Sequence, residues 1–227
     1  MDDPADPRVS DFFRLNDREL RRDGYFVAEG VLVIRQLLQS PYPVRAVLGT
    51  PTALAALDDD LAGVAAPVYV ITQSLMTSIA GFHFHRGALA SAGRRPHPDP
   101  ASVASGADLL LVAEGVADNE NLGGLFRNAA AFGVGGVILD ASSADPLYRR
   151  TVRVSMGQVL RLPHTRVARA PEALTALQEL GFEVLALTPA VGADEVGSVA
   201  PRPRQALVVG AEGPGLSPAA LRAAGRR

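Results

Sequence analysis

The 227-residue sequence contains no cysteine, no tryptophan and no lysine. Without cysteine there is no disulfide framework to read. Without lysine there is no P-loop, whose lysine must reach the nucleotide phosphates. All 22 basic residues are arginine, a usage read as the imprint of a GC-rich genome rather than as selection for bidentate phosphate binding. No apolar stretch approaches the roughly 18 residues needed to span a bilayer. The N-terminus, MDDPADPRVSD, is acidic and proline-bearing where a signal peptide would be basic and then apolar, so a cytoplasmic protein is expected. Clusters of His, Cys and Asp at ligand spacing are also missing, and no metal is expected.

What is present is a globular composition, 48% hydrophobic with a formal net charge of −2. A nucleic-acid partner would therefore have to be held by a local patch. One candidate is Pro146 to Pro171, PLYRRTVRVSMGQVLRLPHTRVARAP, which carries Arg149, Arg150, Arg153, Arg161, Arg166 and Arg169 and no acid. It reads either as a solvated helix face plus a strand end or as a phosphate-binding surface.

Strand and helix patterns alternate along the chain. The first half runs YFVAEG, VLVIRQLLQ, RAVLG, PTALAAL, PVYVI and TQSLMTSIAG, the pattern of a small layered α/β unit. The stretch AGRRPHPDPASVASG, from Ala92 to Gly106, is rich in proline, serine and glycine and predicts a linker. The pattern then restarts with DLLLVAEG, a fully apolar run that predicts a buried parallel strand. A helix over NLGGLFRNAAAFG, strand GVILD, helix PEALTALQELG and strands FEVLALT and QALVVG follow, with SPAALRAAG opening a last helix. The expected domains are 1–92, a linker at 93–106, and 107–227. In open α/β sheets ligands gather beyond the carboxyl ends of the strands. Chemistry is therefore sought at 114–121, 140–143, 188–192 and 210–215.

Two constellations lie in those windows. In VVGAEGPGL the glycines Gly210, Gly213 and Gly215 leave the backbone bare around Glu212. Their spacing and position after the last visible strand do not match a dinucleotide fingerprint. In DNENLGGLFRNAAAFG, Asn121, Gly123 and Arg127 stand at the beginning of a helix. Asn121 reads as a loop or cap residue, and the Arg127 guanidinium suits an anionic group of the substrate. Of the histidines, His83 and His85 in FHFHRG would share one face of a strand, and His97 and His164 read as ordinary structural residues, as do all four.

The spacing N-x-G-x-x-x-R at 121–127 with the following AAAFGVGGVIL, together with VVGAEGPGLS at 208–217, resembles the first and second motifs of the SpoU (TrmH-type) RNA ribose 2′-O-methyltransferases, within the knotted SPOUT class. The resemblance covers most of the chain. VAEG at 27–30 and FHFHRGALA at 82–90 are similar to the L30e-like substrate-binding domain of many members, and PLYRRTVRVSMGQVLRLP is similar to the segment between the motifs. It implies a parallel-sheet SPOUT domain with a C-terminal trefoil knot, a topology that general rules would not propose, preceded by a small L30e-like α/β domain. It also implies S-adenosylmethionine as methyl donor, RNA as substrate with rRNA ahead of tRNA, and a homodimer whose site draws on both subunits. By the same resemblance Arg127 acts on the ribose or its phosphate, Asn121 orders the site, and Glu212 belongs to the second-motif loop. Gly210, Gly213, Gly215 and Leu216 let that loop fold around the cofactor, and Thr188 touches it from the preceding loop.

Methyl transfer from a sulfonium is an in-line displacement in which positioning does most of the work and no metal is required. An arginine, with a pKa above about 12, is a poor general base, so Arg127 is expected to act as an electrostatic clamp. The family's third motif, a proline-containing loop followed by Ser-Leu-Asn and an apolar helix, is not found before the sequence reaches AAGRR. The corresponding expectation is that residues 1–227 bind S-adenosylmethionine weakly or not at all. A non-catalytic RNA-binding protein that keeps the methyltransferase fold is the alternative.

Overall fold

The computed structural model describes residues 3, 6–13, 15–81 and 87–227. His83 and His85 lie outside the described residues. The strands are β1 (Tyr25–Glu29), β2 (Val44–Gly49), β3 (Val68–Val70), β4 (Ala88–Gly93), β5 (Leu109–Ala113), β6 (Gly136–Asp140), β7 (His164–Val167), β8 (Glu183–Ala186) and β9 (Gln205–Val209). The α-helices are α1 (Asp17–Arg22), α2 (Val31–Leu38), α3 (Pro51–Ala55), α4 (Asp58–Leu61), α5 (Gln73–Ala80), α6 (Pro100–Ser105), α7 (Asn119–Ala131), α8 (Arg149–Val154), α9 (Ala170–Glu179) and α10 (Pro218–Ala223).

They form two compact units, one of Met1–Pro96 with Pro146–Arg161 and the other of His97–Asp145 with Leu162–Arg227. The first is built on a mixed sheet in the order β1-β4-β2-β3, antiparallel except for the β2/β3 pair. Its helices begin where the sequence supplies caps. Thr50 and Thr72 accept amide hydrogen bonds from Ala53 and Leu75, satisfying donors that a helix start leaves free. Val33, Ile34 and Leu37 recur at helical spacing and bury one face of α2.

The arginine-rich run divides between the units, and its side chains are engaged within the protein. In the first unit Arg149 Nη1 donates to Glu29 Oε1 at 2.7 Å, and Arg153 Nη1 lies 3.4 Å from Glu29 Oε2. The Glu29 side chain is only 3% exposed. A carboxylate so buried needs cations beside it, because an uncompensated charge away from water is costly. Arg161 Nη1 donates to the side-chain oxygens of Gln36 and Gln39, both at 3.2 Å. In the second unit Arg166 donates to the Ala144 carbonyl at 3.1 Å and to three other carbonyls of the 140–144 turn, and Arg169 pairs with Glu172 at 3.3 Å. Within the run, Arg149, Arg153 and Arg166 are thus engaged by acids and carbonyls distant in sequence, while Arg150, Arg161 and Arg169 stay exposed to solvent.

The second unit carries five parallel strands in the order β7-β6-β5-β9-β8. β6 is buried at every position and β5 at four of five, as a parallel sheet covered on both faces requires. Leu110, Val112, Ile138, Leu174, Leu177 and Val208 belong to one continuous core. Residues 93–106, expected as a linker, are instead structured. Gly93 ends β4, Asp99 caps α6 by accepting the Ala101 amide at 2.7 Å, and Pro100 sits at the helix start, where a missing N–H costs nothing. Val103 and Ala104 of that helix enter the core. Asp99 and Pro100 together are a helix start signal within that composition.

Candidate active site

Chain order reverses about β5, which has β6 on one side and β9 on the other. Such a switch point opens a crevice beyond the strand ends. Here it is a cleft of about 400 Å³, lined among others by Val116, Asn121, Gly124, Asn128, Gly210 and Glu212. The cleft joins the two sequence constellations.

One wall is α7. Its N-cap is Asp118, whose Oδ1 accepts the amides of Glu120 at 2.8 Å and Asn121 at 2.9 Å. Asn121 is therefore a residue of the first helical turn, not the loop or cap residue expected, because an aspartate three positions earlier takes that role. At about 100° per residue, Asn121, Gly124 and Asn128 share a face, and Leu122, Phe126 and Ala129 are buried.

The other wall is the loop after β9. Gly210 is pressed against the end of its own loop: a Cβ there would lie 2.3 Å from the Gly215 carbonyl carbon and 2.4 Å from the Leu216 nitrogen. Only glycine permits that approach. The Gly215 amide donates to the Ala211 carbonyl at 2.9 Å, and Gly213 and Gly215 adopt φ of +86° and +69°. The ring so formed projects Glu212, which accepts a hydrogen bond from Asn121 Nδ2 on Oε2 at 2.9 Å.

Not every expected residue reaches the cleft. Arg127 is exposed and stands on the flank of α7 rather than in the lining. Thr188 lines a separate pocket of about 210 Å³ with Leu187, Val199 and Arg226, and its hydroxyl accepts the Ala190 amide at 3.2 Å. Leu216 is 8% exposed and packs in the core, so its side chain is structural.

Two supporting residues carried no distinguishing signal beyond standing at strand ends. Asp140 accepts the Gly115 amide at 2.9 Å and the Ser143 hydroxyl at 2.6 Å, and it also accepts from Ser142. Burial works to raise its pKa, but these hydrogen bonds outweigh it and hold the carboxyl below its ordinary value. The Ser143 hydroxyl oxygen accepts the Val116 amide at 3.1 Å, tying this turn to the cleft wall. Glu114 binds Ser217 from β5. Among the described residues no group of three or more His, Asp or Glu could hold a metal ion, and no helix is long and apolar enough to cross a membrane.

Residues 108–227, the stretch holding both cleft walls, match the SpoU rRNA Methylase family. The chain belongs to the SpoU family. Over 228 aligned residues it is 49% identical to an uncharacterised tRNA/rRNA methyltransferase of Mycobacterium tuberculosis, covering 97% of this chain and 79% of that protein. The crystal structure of an RNA 2′-O ribose methyltransferase is 26% identical with a TM-score of 0.76, covering 98% of this chain and 86% of that one. The crystal structure of an AdoMet-bound rRNA methyltransferase from Sinorhizobium meliloti has the same fold at 21% identity, with a TM-score of 0.78 and coverage of 96% of this chain and 81% of that one. The resemblance carried by 121–127 and 208–217 thus extends to an α/β fold with a parallel sheet and to membership of an RNA methylase family.

Proposed function

We propose that the protein transfers a methyl group from S-adenosylmethionine to a ribose 2′-hydroxyl of RNA, rRNA ahead of tRNA, at the cleft between α7 and the 210–216 loop. The observation that carries this reading is the hydrogen bond from Asn121 to Glu212, which joins the two motif segments across one cavity. Support for the ribose oxygen comes from the 2′-O ribose enzyme to which the chain is similar.

The cleft fits such a cofactor. Its volume of about 400 Å³ lies within the roughly 300–1,000 Å³ of small-molecule sites. Added Cβ atoms at Gly213 and Gly215 would meet nothing within 4 Å, so the bare backbone there is open to a ligand's approach. S-adenosylmethionine, when bound, supplies a methyl group on a cationic sulfur, which an acidic wall favours over an anionic ligand. Gly210, Glu212, Gly213 and Gly215 would hold it, with the Leu216 backbone at the loop's end and Thr188 reaching from the neighbouring pocket.

Asn121 keeps Glu212 oriented. The amide of Asn121 cannot take the proton that the 2′-hydroxyl must release, so it is assigned to the Glu212 carboxylate that Asn121 orients, Glu120 being the other carboxylate of the lining. Arg127, a quarter-turn around α7, suits the phosphate beside the target nucleotide, acting as a fixed charge rather than as a base. In this reading the first unit is the L30e-like RNA-binding part, and the second is the methyltransferase domain.

The reading extends to assembly and topology. Phe132, just past the C-terminal end of α7, is 80% exposed, which favours coverage by a second copy in a homodimer. The trefoil knot is favoured by the path of the last residues: Arg226 pairs with Leu185 of β8, while the Asp194 amide donates to the Arg227 carbonyl at 2.9 Å. In this reading the protein acts in the cytoplasm, where its proposed rRNA substrate would be met.

The test is transfer of radiolabelled methyl from S-adenosylmethionine to total RNA, followed by mapping of 2′-O-methyl positions. Incorporation lost in Arg127→Ala and Glu212→Ala supports the reading. RNA binding without incorporation by the unaltered protein favours the non-catalytic alternative and overturns it.

A further inference from the structure

We infer that Glu114 is the positioning residue of the 210–216 loop, the group that keeps Glu212 where Asn121 meets it. The inference deepens the proposed function, since that loop is the wall assigned there to the cofactor.

Glu114 follows β5 directly, and its backbone amide donates to the carbonyl of Val209, the last residue of β9, at 2.9 Å. Its side chain reaches the other end of the loop. Oε2 accepts the Ser217 amide at 2.8 Å, and Oε1 accepts the Ser217 hydroxyl, also at 2.8 Å. A single residue from the neighbouring strand thus pins the chain immediately before the loop and immediately after it. Both side-chain bonds are charge-assisted, the stronger class of hydrogen bond. The Ser217 hydroxyl oxygen accepts in turn from the Ala220 amide at 3.1 Å, so its donor direction toward Glu114 is fixed.

Between the two anchored ends the loop has few ties of its own. The Gly215 amide to the Ala211 carbonyl closes the ring, and Leu216 is the one residue of 210–216 that is buried. The core below rests on apolar contacts among residues such as Leu110, Val112, Ala206 and Val208. Removing the carboxylate therefore loosens the loop far more than the sheet, and the local and global effects separate.

The experiment compares the unaltered protein with Glu114→Ala, Glu114→Gln and Ser217→Ala. Without ligand, amide hydrogen exchange at Gly215 is expected to rise at least tenfold in Glu114→Ala and to stay within threefold at Val112 and Val208. The side-chain amide resonance of Asn121 should shift toward that of Glu212→Ala. Glu114→Gln, which retains one acceptor, should recover part of the protection, and Ser217→Ala should lie between. With S-adenosylmethionine, KM should rise about tenfold with kcat changed less than threefold. Exchange at Gly215 within twofold of the unaltered protein in Glu114→Ala, or an unmoved Asn121 resonance, would overturn the inference. If the unaltered protein neither binds S-adenosylmethionine nor transfers methyl, the proposed function fails, while the exchange and resonance arms still decide the role of Glu114.

Discussion

Asn121 and Glu212, 91 residues apart in sequence, meet through a 2.9 Å hydrogen bond. Both side chains are exposed, so the contact does little for folding. Glu212→Gln and Asn121→Ala should each change unfolding free energy by less than about 1 kcal/mol. Methyl incorporation should fall by about 100-fold or more in each. Urea denaturation beside the radiolabel assay separates the two effects.

Gly210→Ala should be more damaging than Gly213→Ala. The first forces a Cβ into the backbone of Gly215 and Leu216, an overpacking of the kind that costs about 1–3 kcal/mol. The second meets nothing within 4 Å but keeps φ at +86°, at a cost of about 1 kcal/mol. Comparison of denaturation midpoints at matched slopes gives the order.

His164 predicts a pH dependence of stability. Burial pushes its pKa down to about 4, with the Leu162 carbonyl opposing that and the His97 ring adding to it. The unfolded histidine, near 6.5, binds a proton before the folded one does. Stability is therefore fully present above about pH 6.5 and is lost as pH falls toward 4, by about 3 kcal/mol in all. In His164→Gln the loss over that window should shrink by a comparable amount, measured by urea denaturation at pH 7 and pH 4.5.

Arg149→Met should destabilise the first unit through Glu29, which keeps only the more distant Arg153. Removing one partner of a buried pair costs about 3–5 kcal/mol. Replacing both, as Glu29→Gln with Arg149→Met, should recover part of that loss in a double-mutant cycle.

Much of this fold was legible because its signals are local. A short apolar run such as DLLLVAEG, ended by a glycine, reads as a covered strand, and PEALTALQELG repeats its leucines at helical spacing. Asp99 before Pro100 was equally local, yet it was hidden by the proline-rich composition around it. The candidate site was half legible. Bare glycines around Glu212 marked one wall and Asn121 the other, and their union is a matter of strand order, since β9 inserts beside β5. The role of Glu114 was not legible, because its partner Ser217 lies 103 residues on. Which guanidinium groups of the arginine-rich run are engaged was not legible for the same reason, since it depends on distant partners such as Glu29.

The placement of 146–161 with the first unit has a practical consequence for dissecting the gene. A fragment cut at residue 96 would lose α8, which packs on β1 and supplies both guanidinium groups to Glu29, so the strip of β1 it covers would face water and the piece should be destabilised. Splicing 146–161 back through a short bridge restores that cover and its cations, so a first-unit fragment worth expressing has to be stitched from two separated stretches of coding sequence.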